Sequence, residues 1–356
     1  MKSTKLHPLF RLAIGVVTLS TLVFTIQPLQ ALQPPKAYHS PKAQPSDGDS
    51  NAQSARFHHV RLNVTDPKAS IEFYEKYFSA VPIKFRGVAD AILTDRSYFL
   101  FNTVAKRAPE NYRTALWHVG WGGVDGPGEY KWRTEKGITW DTDITAVGTQ
   151  GAHVHFMYAQ GPDHEIAEVF TGDPHQRYNH IHLLAEDVNA TADWYIKHLG
   201  AKGLITNAAK PEPPPADFKL SDPDANAFKY IWMTAVQVDG VTFNIHIKPE
   251  GPVFWYPGKP YTGEFEKSDG HVINHFAFSY PDIEPVYQRM KAAGVEIVKD
   301  ITWDDKLKMK SFFVRAPDKV LVEIVEADPV PDGSWLRHVH PEGNHGHAHP
   351  KVKTDR

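Results

Sequence analysis

One short phrase is written four times in this chain: FHHVRLNVTD (57–66), LWHVGWGGVD (116–125), YNHIHLLAED (178–187) and INHFAFSYPD (273–282). Each is a strand-like run with a histidine near its start and an aspartate seven residues later, where a helix could begin. The histidines are His59, His118, His180 and His275, separated by 59, 62 and 95 residues. Self-similarity on this scale means a chain assembled from modules. It also puts one metal-capable side chain at the same point of every module.

Alternate residues of a strand face opposite sides of a sheet. Val60, Leu62 and Val64 form one apolar face of the first phrase, so His59, Arg61 and Asn63 lie on the other. Val119 and Trp121 oppose His118; Ile181 and Leu183 oppose His180 and His182; Phe276, Phe278 and Tyr280 oppose His275. All four repeated histidines therefore leave the strand on the side away from its apolar face.

A helix is expected after each phrase. Asp66-Pro67, Asp187 and Asp282 are good N-caps, and Gly294 suits the end of the fourth helix. Apolar residues recur at helical spacing at Ile71, Tyr74 and Phe78, and again at Val188, Thr191, Tyr195 and Leu199. The second helix, about 127–136, is the weakest because Gly126 and Gly128 flank its start. Strand-like segments follow at about 139–145, 152–159 and 164–171, and at about 295–301, 309–315 and 319–326. Their closing phrases match, GPDHEIAEVF (161–170) against APDKVLVEIV (316–325), so Glu168 falls on Glu323. A carboxylate between buried neighbours is costly unless it is paired or binds a metal.

Four βαβββ units with this opening and closing resemble the vicinal oxygen chelate superfamily, over about residues 57–327. Its members include glyoxalase I, extradiol catechol dioxygenases and bleomycin and fosfomycin resistance proteins. The resemblance implies an α+β fold of four βαβββ modules forming two paired domains with curved mixed sheets, 57–172 (modules 1 and 2) and 173–327 (modules 3 and 4). It implies metal ligands from opening and closing strands: His59, His118 and Glu168 in the first pair, and His180, His275 and Glu323 in the second. Two histidines and a carboxylate leave positions open on a divalent ion, and Fe(II), Mn(II), Zn(II) and Ni(II) all fit such donors. Extradiol enzymes add a histidine late in the third unit, here His246, and a tyrosine ten residues before the carboxylate. Phe313 stands at that place before Glu323, whereas Tyr158 keeps it before Glu168. A glyoxalase-type lyase or isomerase would want a further carboxylate where Leu100 and Asn102, or Asn244 and His246, stand.

The expected partner is a small molecule, aromatic or bearing vicinal oxygens. The leading reading is an exported metalloenzyme, most concretely extradiol dioxygenase-like, with the C-terminal pair as its working site. The rivals are a small-molecule sequestering protein of the bleomycin-resistance type and a glyoxalase-like lyase. A Pro-rich stretch (208–227) and an aromatic one (249–270, with Phe254, Trp255, Tyr256, Tyr261 and Phe265) read as pocket-shaping insertions, a lid or an interface patch compatible with an oligomer.

Residues 1–31 run from basic through apolar to small, with Lys2, Lys5 and Arg11 ahead of Leu12–Ile26 and Ala31 at the end. That order is a secretory signal, too short for a confident membrane span, and predicts a periplasmic or secreted protein. Residues 32–56 read as a disordered leader, and 328–356 as a flexible tail carrying His338, His340, His345, His347 and His349. Three of the 39 basic residues lie in the signal, which leaves 36 against 42 acids, near −6. A mildly acidic chain with no basic stripe argues against a nucleic-acid partner. With no cysteine, any metal must sit on His, Asp or Glu.

Overall fold

A computed structural model describes residues 54–331 apart from 96, 148–153, 173–176, 220–225, 251–252, 254, 257–260 and 262. The expected signal, most of the leader and nearly all of the histidine-rich tail lie outside the described residues.

The four units are present, each a strand, a helix and three strands. Unit 1 is β1 (Arg56–Val64), α1 (Pro67–Phe78), β2 (Val81–Phe85), β3 (Ala89–Leu93) and β4 (Tyr98–Thr103). Unit 2 is β5 (Leu116–Gly122), α2 (Gly126–Glu135), β6 (Trp140–Val147), β7 (Val154–Gln160) and β8 (Ile166–Phe170). Unit 3 is β9 (Tyr178–Ala185), α3 (Val188–Leu199), β10 (Lys202–Ile205), β11 (Met233–Val238) and β12 (Val241–Ile247). Unit 4 is β13 (Ile273–Tyr280), α4 (Glu284–Ala292), β14 (Ile297–Asp304), β15 (Met309–Arg315) and β16 (Leu321–Glu326). Asp66, Asp125 and Asp187 cap the first three helices, each accepting from backbone N–H groups of the first turn. Among the described residues no helix is long and apolar enough to cross a membrane.

The units do not pair along the chain. One eight-stranded mixed sheet runs β14-β15-β16-β13-β1-β4-β3-β2 and joins unit 1 to unit 4; the other runs β10-β11-β12-β9-β5-β8-β7-β6 and joins unit 2 to unit 3. Residues 57–172 and 173–327 thus each contribute one unit to each sheet, and neither closes a sheet alone. The antiparallel contacts β1–β13 and β5–β9 make these junctions. Neighbours in sequence usually pair, which favoured units 1 with 2 and 3 with 4. Here the seven-residue link between β8 and β9 brings units 2 and 3 together, and the sheet of units 1 and 4 closes through the two ends of the fold.

The apolar faces of both sheets share one core. Phe57 of β1 meets Tyr178 and Phe243 of the other sheet at 5.9 and 6.0 Å between ring centroids. Tyr74 of α1 touches Phe99 of its own sheet and Trp121 of the other, and Tyr195 of α3 likewise bridges Phe243 and Phe276. With the helices and greasy faces packed between the sheets, the histidine-bearing faces are turned away from this core.

A buried polar clamp ties unit 2 to unit 1. Asp163, in the β7–β8 turn, accepts from the Thr65 amide and hydroxyl. Beside it Glu165 accepts a 3.0 Å bond from the Tyr74 hydroxyl. Burial pushes the Glu165 carboxyl up from 4.5 to about 7. Between those values the native chain keeps a proton that the unfolded chain has released, so this group lowers stability as pH rises through about 7. A Glu165→Gln chain is expected to lose that decline and gain at most about 3 kcal/mol over wild type at pH 8. Urea midpoints between pH 4.5 and 8 check it; parallel curves would contradict it.

Candidate metal centres

Two clusters of metal-capable side chains lie on the outward faces, one per sheet. In the sheet of units 2 and 3, His118, Glu168, His180 and His182 bring one donor atom each within 4.8 Å of the others. In the sheet of units 1 and 4, His59, His275 and Glu323 do the same.

Strand register builds both. Gly120 of β5 lies opposite His180 of β9, and His118 opposite His182; on the other flank of β5, Gly120 pairs with Glu168 of β8. Glu168 Oε2 therefore sits 3.0 Å from His118 Nε2, 2.7 Å from His180 Nε2 and 3.2 Å from His182 Nε2. The second sheet repeats the arrangement. His59 lies opposite Ala277, which pairs with Glu323, and Glu323 Oε2 is 3.1 Å from both His59 Nε2 and His275 Nε2.

All six ligands expected from the sequence are thus in the two clusters, but regrouped. His180, His275 and Glu323 do not form one set, nor do His59, His118 and Glu168, because the units pair differently. The same register locates the place of a further carboxylate. Glu168 and Glu323 pair two residues beyond the opening histidine of their own unit; in units 1 and 3 the same rung pairs Arg61 with Leu100 and His182 with Asn244. Neither offers a carboxylate, so the donor set lacks what a glyoxalase-type lyase would want.

The donor chemistry fits a cation. His275 Nδ1 lies 2.6 Å from Asn274 Oδ1, and His180 Nδ1 lies 2.5 Å from Asn179 Oδ1. An amide oxygen only accepts, so each Nδ1 carries the hydrogen and a neutral ring presents a bare lone pair at Nε2. That lone pair faces a carboxylate oxygen, so a proton or a metal ion must lie between them. Burial pushes the protonation of His275 down, and that of His59 down to about 4. His59 Nε2 is buried with no hydrogen bond although Glu323 is near. Burial alone would raise Glu323 and Glu168, but the histidines around them hold both well below the usual carboxylate range. Neutral imidazoles around an ionised carboxylate are what a divalent ion binds.

The cavities beside the clusters differ. The one at Glu168 is about 120 Å³ and is walled by Phe156, Phe170, Phe228, Ile231, Met233 and Trp255, with Tyr158 and His246 also lining it. Its Tyr158 hydroxyl donates to the Trp255 carbonyl at 2.9 Å, and the His246 ring lies 4.8 Å from His182 and 4.9 Å from Trp255. Burial pushes His246 down to about 3 and Tyr158 well up, so both are neutral at pH 7. Tyr158 and His246, assigned to different halves from the sequence, share this cavity. Of the aromatic stretch, Trp255 lies here, in the wall of the cavity of units 2 and 3. The cavity at Glu323 is about 490 Å³ and polar, with Arg61, Asn102, Lys299 and Asp304 in its walls.

Residues 177–324 match the model of the Glyoxalase/Bleomycin resistance protein/Dioxygenase superfamily. The chain carries a domain of this superfamily. No curated protein matches the sequence. Solved structures resemble it in fold. Glyoxalase I from Zea mays aligns over 82% of this chain and 98% of its own, with 14% identity and a TM-score of 0.55. A candidate dioxygenase from Bacillus subtilis aligns over 82% and 89%, with 13% identity and a TM-score of 0.50. At such identity these superfamily members speak for the fold alone.

His182 was legible from strand parity but not singled out as a donor. Asn179 and Asn274 left a plainer signal, an Asn-His pair written at the same place in two units.

Proposed function

We propose that the chain is an exported, divalent-metal-dependent enzyme whose working site is the cluster of units 2 and 3. Its substrate would be a small aromatic molecule with vicinal oxygens, and ring-opening oxygenation by dioxygen is the most concrete chemistry. One observation carries this reading: Glu168, on which His118 and His180 converge, lines an aromatic-walled cavity together with Tyr158 and His246. The resemblance to extradiol enzymes assigns such roles to these residues singly, His118, Tyr158 and Glu168 in one pair of units and His180 and His246 in the other. Export rests on the basic, apolar and small order of residues 1–31.

A divalent ion on His118, His180 and Glu168 would supply Lewis acidity to two substrate oxygens and leave coordination positions open. The residues of the chain do the rest. His246, held neutral, is placed to take a proton from a substrate hydroxyl. Tyr158, held protonated by burial and anchored by its bond to the Trp255 carbonyl, fixes one wall of the cavity. Phe156, Phe170 and Trp255 exclude water and grip a flat ring.

Oxygen uptake by the Fe(II)-loaded chain on a panel of catechols tests the reading. Uptake is expected, with kcat reduced about 100-fold or more in His246→Ala while bound iron is unchanged. No uptake on any catechol, with tight catechol binding retained, would favour a sequestering protein.

A further inference from the structure

We propose that the second cavity, formed by units 1 and 4, takes a small organic anion of the 2-hydroxycarboxylate class. Its carboxylate would pair with Arg61 and Lys299, while its hydroxyl oxygen reaches the His59, His275 and Glu323 cluster. This rests on reading that cluster as a metal centre, and concerns a different ligand from the one proposed for units 2 and 3.

Arg61 stands two residues after His59 on β1, so both side chains leave the same face of the strand. It lines the cavity together with His275 and Glu323. Among the described residues it makes no hydrogen bond and no close ion pair. A guanidinium presents five donors in a planar fork that matches a carboxylate, and here Glu323 and Asp304 face it as charges without a hydrogen bond to it. Lys299 faces the same space from β14, its ammonium 5.8 Å from the Phe313 ring.

Charge points the same way. Arg61 and Lys299 are matched in the walls by Asp304 and Glu323, so the cavity is neutral until a divalent ion adds two positive charges. Asp304 is partly engaged, since its Oδ1 accepts from the Leu307 amide at 2.8 Å. The cavity of units 2 and 3 has no cationic side chain in its walls and only Glu168 as an anion. An anion therefore suits the first of these spaces and a neutral aromatic ring the second. The contrast traces to single positions: Arg61 occupies the rung that His182 holds in unit 3, Asn102 stands where His246 does, and Lys299 where Thr142 does.

Calorimetric titration of the Mn(II)-loaded full chain with lactate, against neutral propane-1,2-diol, tests this. Lactate is expected to bind at least tenfold more tightly than the diol. Arg61→Met should remove at least tenfold of lactate affinity and Lys299→Met two- to fivefold, with diol binding unchanged. Paired His118→Ala and His180→Ala substitutions should leave lactate binding intact. Equal affinity for lactate and diol, unchanged lactate affinity in Arg61→Met, or loss only in the His118 and His180 variant would each overturn the inference. If Arg61→Met does not fold, Arg61→Lys with Lys299→Met gives the same comparison. Metal counted in the same samples separates the two failures: a missing ion at Glu323 sinks the metal reading, whereas a bound ion with unaltered lactate affinity sinks the anion site alone.

Discussion

A Glu168→Ala chain is expected to bind one divalent ion where the wild type binds two, and to lose all turnover that depends on the cavity of units 2 and 3. Glu168 Oε2 is the atom on which His118, His180 and His182 converge, at 3.0, 2.7 and 3.2 Å. Removing even an outer partner of a metal ligand costs 10–100-fold in affinity, so losing the anionic ligand itself should cost about 100-fold or more. Stability should follow occupancy. An ion at about 1,000 times its Kd stabilises the folded chain by about 4 kcal/mol, so the metal-induced rise in unfolding temperature should shrink in Glu168→Ala. Without metal the variant should melt near wild type, because burial favours the neutral forms of His118 and His182. Elemental analysis beside thermal melts with and without metal reads all of this. Unchanged stoichiometry would show that Glu168 is a structural acid.

Gly120→Val is expected to disable the same centre without touching a ligand. A Cβ at Gly120 would lie 1.9 Å from His180 Nε2 and 2.2 Å from its Cε1, so the ring must leave its position over β5. The Asn179 bond that fixes the ring would break with it, and overpacking of this kind costs about 1–3 kcal/mol. The ion at Glu168 should be lost and the ion at Glu323 kept. Gly120 is thus needed for close approach rather than for an unusual backbone angle, since it is not among the positive-φ glycines. The equivalent position opposite His59 is Ala277, so Ala277→Gly should leave both ions in place. Two bound ions in Gly120→Val would mean that His180 is not a required ligand.

Much of this architecture could be read from residue order. The repeated phrase carried the units, because alternation at Val60, Leu62 and Val64 and the aspartates at 66 and 187 are local signals for strand and cap; Asp282, read the same way, is not the cap, since α4 starts at Glu284 with Ile283 as its N-cap. The closing strands came from one matched pair of phrases, and β15 lies where it was expected, at Met309–Arg315. What local signals do not carry is which unit meets which. Pairing depends on contacts such as Phe57 with Phe278, more than 200 residues apart, and adjacency in the chain favoured the wrong partners. The histidines and glutamates were therefore identified singly but sorted into the wrong sets, and Tyr158 and His246 were placed in separate halves. Arg61 and His182 were assigned the correct face, yet their roles depend on which cavity that face lines.

The central claim is that two separate centres exist, one from units 2 and 3 and one from units 1 and 4. Anomalous diffraction from crystals of the Mn(II)-loaded chain tests it most directly. Two peaks are predicted, one about 2.0–2.2 Å from His118 Nε2, His180 Nε2 and a Glu168 oxygen, the other equally close to His59 Nε2, His275 Nε2 and a Glu323 oxygen. A single peak joining His180 to His275, or no peak at either glutamate, would contradict it.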